Sequence, residues 1–298
     1  MVIAIGGIEN GIEVSGLADF DLQSILECGQ CFRWTKNSHN DYTGVVMGRV
    51  VRAVQTGSRL LLYNCDRYDF ESFWYEYFDM GTDYGQIKKK LMIDDPVMEK
   101  AADYAPGIRI LRQPLFETLV SFIISANNSI PNIIRVISVL SFMYGKNISF
   151  GGEEYSSFPE PSELASREVC DIRLSKAGYR CDYIKKTAAM FEKNPITTER
   201  LSRLGIAEAR KLLMEFPGVG AKVADCVILF TGAHTEAFPV DVWVRKVMQE
   251  LYIGKEMPIR EIEAYARRKF GDLAGYAQQY LFHYIRNSGK RQIQIEAT

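Results

Sequence analysis

The segment Phe216-Pro217-Gly218-Val219-Gly220-Ala221-Lys222-Val223-Ala224-Asp225-Cys226 constrains the fold more than any other part of this 298-residue chain. It lies between two apolar-periodic stretches, and the spacing predicts two helices joined by a tight turn over 206–231. Gly218 and Gly220 permit positive φ and close approach of a second backbone. The helix that follows presents unpaired N–H groups at its start, a suitable seat for a phosphate. Such a turn can equally be a bare connector. Lys222 shifts the balance, because a lysine at a helix start faces the positive end of the helix dipole, where an amine gives up some of its preference for the charged form. Cys226 is one turn later on the same face, while Val223, Val227 and Phe230 form an apolar face that packs inward.

A second segment, Phe238-Pro239-Val240-Asp241-Val242-Trp243, places Asp241 immediately before another apolar-periodic stretch. Helix capping alone would explain an aspartate there. Its company suggests more: the turn over 206–231 has the physics of a helix-hairpin-helix element, which grips a DNA backbone without reading bases. A carboxylate about twenty residues beyond such a lysine can stabilise a cationic sugar and assist the amine.

Around these segments the chain reads as α+β. In the first third, Tyr42 to Val54 and Arg59 to Tyr63 predict a hairpin about Thr56-Gly57-Ser58. From Leu115 onward the pattern predicts helices only, over 114–126, 131–144, 162–177, 180–193, 206–215, 220–231, 241–252, 258–270 and 272–287. The Gly145–Pro161 stretch reads as a surface connection. Domains are expected at 1–113, with an antiparallel sheet, and at 114–298, all helical, with the aspartate loop at 232–241.

Composition narrows the function little. A net charge of −1 gives no global sign of nucleic-acid binding, and the basic run from Arg173 to Lys186 can be a solvated helix face. No apolar run approaches a membrane span, and the first residues lack a basic leader, so a cytoplasmic protein is expected. Six cysteines, at 28, 31, 65, 170, 181 and 226, are scattered in a way that favours free thiols. The single C-x-x-C at 28–31 lacks the second pair that four-ligand zinc would need.

Taken together, the hairpin with Lys222 and the loop ending in Asp241 resemble the helix-hairpin-helix glycosylase superfamily. The resemblance implies attack of Lys222 on C1′ of a damaged nucleoside, a Schiff base, and β-elimination, with Asp241 stabilising the oxocarbenium charge. Endonuclease III and adenine glycosylases usually carry an iron–sulfur cluster on cysteines after the aspartate, yet no cysteine follows Cys226.

Four further segments are similar to 8-oxoguanine DNA glycosylases: Gly29 to Trp34, Ile108 to Gln113 leading into Ser121 to Asn128, Gly178 to Arg180, and Ala274 to Phe282. By that resemblance Gly29 offers its carbonyl to the N7 hydrogen of the lesion, Phe282 and Cys226 flank the flipped purine, and Gln278 bonds its Watson–Crick edge. Asn127 touches the partner base, Tyr179 wedges into the stack, and Arg180 addresses the orphaned base. Asn132 stands where the better-known eukaryotic pattern has an arginine, which implies relaxed preference for cytosine opposite the lesion. Gly218, Val219, Gly220 and Trp243 would hold the DNA backbone. Carbonyls around Met214, Phe216 and Val219 would hold a monovalent cation, and no cofactor is required for the chemistry. The expected partner is damaged double-stranded DNA, bound by a monomer. Two readings stay open beside this one: a glycosylase for another damaged purine, and a non-catalytic helix-hairpin-helix DNA-binding protein, which would need neither Lys222 nor Asp241.

Overall fold

The computed structural model describes residues 3–296, with side chains described through 288. An antiparallel six-stranded sheet occupies the N-terminal part, in the order Ala4–Ile8, Gly11–Ser15, Arg59–Tyr63, Arg49–Thr56, Asp41–Val46, Trp34–Ser38. The hairpin about Gly57 is present, with Thr56 opposite Arg59. Tyr42 to Val54 is not one strand, however. It splits at Met47-Gly48, both at positive φ, which is the turn chemistry of a two-residue hairpin. Gly44 is required beside it, since a Cβ there would lie 2.4 Å from the Trp34 ring. The indole crosses that strand and donates from Nε1 to the Tyr77 hydroxyl at 2.8 Å.

Behind the sheet, the aromatic stretch from Phe70 to Phe78 is helical, and Phe70, Trp74 and Phe78 fill a core with Leu22, Ile25, Leu60 and Leu62. Burying such side chains is worth about 1.5–3 kcal/mol each before conformational entropy is counted. The two cores do not divide along the chain at residue 113. Helices Tyr84–Leu91 and Pro96–Tyr104 pack into the core of the later helices, where Tyr84 meets Tyr276 edge-on at 5.4 Å. Arg109 fastens the junction: fully buried, it donates to the carbonyls of Ala18, Asp19 and Asp79 at 3.1, 2.9 and 2.7 Å.

The helices Leu115–Ser125, Ile130–Tyr144, Arg180–Lys193, Ile206–Leu213, Ala221–Phe230 and Ile259–Phe270 agree with the periodicity within two residues. The last helix, expected over 272–287, runs over Ala274–Glu296 after a 3-10 turn at Gly271–Leu273, and three further expectations need correcting. A two-stranded hairpin, Asn147–Phe150 with Glu153–Ser156, stands in the surface connection, where the pattern predicts no strand, turning at Gly151 and Gly152, both at positive φ. The stretch 162–177 is broken, because Arg167 is extended and Lys176 adopts the left-handed region at φ 61°. The helix after Asp241 is α-helical over Val242–Val247 and then widens to a π-helix through Ile253. No helix among the described residues is long and apolar enough to cross a membrane.

Candidate active site

The hairpin forms, with Gly218 but not Gly220 in the conformation that needs a glycine: Gly220 has φ −94° and open space where a Cβ would stand. Gly218 has φ +82°, and a Cβ there would lie 2.7 Å from the Tyr183 ring, so the turn rests against helix Arg180–Lys193. Thr187 donates to the Pro217 carbonyl at 3.3 Å. The two hairpin helices are tied by Arg210, which grips Asp225 through two bonds of 2.7 and 2.8 Å and reaches Glu263 at 3.1 Å. Burial pushes the Asp225 carboxyl up to about 6, against the pull of Arg210. The helix that carries Lys222 is therefore anchored from its buried side.

Lys222 is the second residue of that helix, with Nζ 5.3 Å from the centroid of the Phe122 ring. Phe122 in turn stacks on Phe230 at 5.4 Å, so the floor beneath the amine is rigid and apolar. Asp241 caps the next helix: Oδ1 accepts from the backbone N–H groups of Trp243 and Val244 at 3.0 and 2.8 Å. Burial pushes its carboxyl above the usual range, while those two N–H groups and the neighbouring Lys222 and Arg286 pull the other way. Both side chains line one cleft of about 790 Å³.

That cleft brings together most of the residues singled out in the sequence. Gly29, Asn127, Gly218, Gly220, Trp243 and Phe282 line it with Lys222 and Asp241. Gly29 has φ +85°, and its loop is clamped by the buried Gln30, which donates to the Arg109 carbonyl at 2.7 Å and accepts from Leu111 N–H at 2.9 Å. Cys226 lies buried just behind the cleft, its thiol pushed up to about 11 by burial against the pull of Lys222. Gln278 is likewise buried, and its Oε1 has no partner. Val219 turns its side chain inward, while Met214 is partly exposed and Phe216 buried.

The other wall differs from expectation. Tyr179 is 60% exposed, as a wedge must be. Arg180, though, is buried, and donates to the carbonyls of Ala126 and Asn127, the latter at 3.0 Å, so it props the loop that carries Asn127. Asn127 itself lies past the helix end, at φ +50°. Asn132 donates to Asn128 Oδ1 at 2.7 Å and accepts from Arg135 at 2.7 Å. Sequence reasoning missed Arg286, which lines the cleft beside Phe282. Its signal was its spacing, one turn beyond Phe282 on the same helix face.

A hairpin presenting a lysine, facing a capping aspartate across a cleft, defines a helix-hairpin-helix repair glycosylase. Residues 14–119 match the model of the 8-oxoguanine DNA glycosylase N-terminal domain, and residues 120–272 match that of the HhH-GPD superfamily of base excision DNA repair proteins. A probable N-glycosylase/DNA lyase of Methanothermobacter thermautotrophicus is 33% identical over 66% of this chain and 69% of its own length. The N-glycosylase/DNA lyase of Saccharomyces cerevisiae is 30% identical over 88% of this chain and 82% of its own. The 8-oxoguanine glycosylase/lyase of Clostridium acetobutylicum, solved with double-stranded DNA bearing cytosine opposite 8-oxoG, superposes with a TM-score of 0.92 at 39% identity, over 97% of this chain and 99% of that one. The chain belongs to the 8-oxoguanine DNA glycosylase family of the HhH-GPD superfamily, and its enzyme class is DNA N-glycosylase/AP lyase.

Proposed function

We propose that the protein excises 8-oxoguanine from duplex DNA and nicks the strand, with Lys222 as nucleophile and Asp241 as its carboxylate partner. One observation carries this reading: both side chains line a single cleft with Gly29 and Phe282, the residues expected to hold the flipped base. Attack of the Lys222 amine on C1′ breaks the bond to N9 of the base. The sugar opens to a Schiff base, and loss of a C2′ proton expels the 3′ phosphate. Asp241, fixed by two backbone N–H groups, faces the positive charge that develops on the sugar.

The turn at Gly218 to Gly220 and the start of the Trp243 helix would hold the phosphates through backbone N–H groups. Carbonyls at Met214, Phe216 and Val219 are hard oxygen donors of the kind a monovalent cation takes. Phe216 already accepts from Val219 N–H at 3.1 Å, which leaves its second lone pair for an ion. On the opposite wall, Asn132 in place of an arginine supports a relaxed preference for cytosine.

Incubation of the wild type and Lys222→Gln with an 8-oxoguanine duplex and borohydride tests the assignment. The wild type is expected to form a covalent adduct. The variant should bind the lesion yet neither release base nor trap, and trapping at the wild-type rate would show that another amine attacks.

A further inference from the structure

Two buried side-chain atoms of one helix lack a hydrogen-bond partner, Gln278 Oε1 and Arg286 Nη1, and Arg286 lines the cleft. Both belong to the helix Ala274–Glu296, and Phe282 lies midway between them. Residues four apart share a helix face. Acceptor, aromatic ring and cationic donor therefore form one row, about 12 Å long at 1.5 Å per residue. Arg286 sits close to the site: its Cζ is 5.7 Å from the Phe282 ring centroid, and Nη1 is 3.2 Å from where a Cβ on Gly29 would stand. An unmatched buried donor or acceptor is unfavourable. One of each, flanking a stacking ring, calls for a ligand that supplies both complements.

We infer that Arg286 is a specificity-determining residue, whose Nη1 donates a hydrogen bond to the exocyclic oxygen at C8 of 8-oxoguanine. This deepens the proposed base pocket and rests on it. With Gln278 at the Watson–Crick edge and the purine on Phe282, the far end of the row meets the imidazole end of the base. Gly29 at the N7 hydrogen and Arg286 at the C8 oxygen then read adjacent atoms, both of which distinguish the lesion. Guanine has a lone pair at N7 and a hydrogen at C8, so the Gly29 carbonyl would face an acceptor and Arg286 would lose its oxygen partner at C8. The contact also assists departure. As the C1′–N9 bond breaks, its electron pair goes to the base, the C8 oxygen shares the charge facing the guanidinium, and solvent supplies the proton after release.

Asp241 is the charged catalytic group that Arg286 faces, so the rival account is that Arg286 acts through that carboxylate. Three measurements on Arg286→Gln and Arg286→Met separate the two: single-turnover excision of 8-oxoguanine, borohydride trapping at a preformed abasic site, and the affinity ratio between non-cleavable duplexes carrying 8-oxoguanine or guanine. Excision is expected to slow by about tenfold to a hundredfold and the affinity ratio to fall about tenfold. Trapping at the abasic site, which holds no base, should keep most of its rate and shows that the variants fold. Parallel loss of excision and abasic trapping, or an unchanged affinity ratio, would overturn the inference. A wild type that traps at the abasic site but ignores 8-oxoguanine would instead overturn the substrate assignment on which it rests.

Discussion

On the side of the site proposed to hold the flipped base, two buried polar atoms lack partners; on the side proposed to meet the complementary strand, Arg180 and Asn132 are already bonded within the protein. Gln278 Oε1 and Arg286 Nη1 have no partners. Across from them Arg180 holds the Ala126 and Asn127 carbonyls, and Asn132 is bonded to Asn128 and Arg135. On the proposed assignment, binding the lesion would add hydrogen bonds on the first wall. Reading the opposite base through Arg180 or Asn132 would exchange bonds on the second, and an exchange of one bond for another gains little net free energy. Discrimination should accordingly be steep for the lesion and shallow for its partner.

The largest effect that could break this contrast concerns Asp241. On the proposed assignment, Asp241→Asn should slow excision by about a hundredfold or more, the usual scale for a lost charged catalytic group. Asparagine caps helices nearly as well as aspartate, so stability should change by less than about 1 kcal/mol. A variant that lost stability along with activity would make Asp241 chiefly a cap. The pH profile sharpens the point. Because burial raises this carboxyl, its protonation sets in above the usual aspartate range, and the ionised form is lost as pH falls. The wild-type excision rate should drop on the acid side through that raised value, and the acid limb should vanish in Asp241→Asn.

Much of this site was legible because its parts are local in sequence. The hairpin, Lys222 and the Asp241 cap each lie within a dozen residues, where periodicity, glycine chemistry and capping act directly. Arg286 was not, since its meaning comes from proximity to Gly29, brought near only by the fold. Arg180 carries a role its residue type did not announce: it donates to the carbonyls of Ala126 and Asn127, a contact set by the fold. The sheet was half visible. Gly11 and Gly44 weaken the strand pattern, yet each is needed where another chain segment crosses, Leu62 in one case and Trp34 in the other.

A smaller effect tests the base wall itself. Phe282 is partly buried against the helical core and also lines the cleft. Phe282→Ala should weaken lesion binding by about 1–3 kcal/mol, the worth of one base–aromatic stack. Equilibrium binding to a non-cleavable 8-oxoguanine duplex measures this directly. A stable variant with unchanged affinity would assign the ring to packing alone and dissolve the row between Gln278 and Arg286.

The smallest effect is expected on the opposite wall, at Asn132. An arginine there would offer cytosine a planar, charged set of donors, whereas asparagine offers one donor group and one acceptor. In this chain even those are engaged: Nδ2 binds Asn128, and Oδ1 holds the guanidinium of Arg135 at 2.7 Å. Arg135 is exposed, but to address a base it must release Asn132. The gain from cytosine is thereby reduced by the bond given up. A full bidentate contact discriminates by about 1–3 kcal/mol, so the exchanged one should fall near or below the lower limit, about fivefold. Single-turnover excision opposite cytosine, adenine, guanine and thymine should consequently differ by about fivefold or less. Asn132→Arg should widen that spread, chiefly by slowing the mismatched pairs, and Arg135→Ala in the wild-type background should narrow it. Strict dependence on cytosine that survives Arg135→Ala and is unchanged in Asn132→Arg would mean that this wall reads its base with groups other than these, and that its internal bonds are no obstacle to recognition.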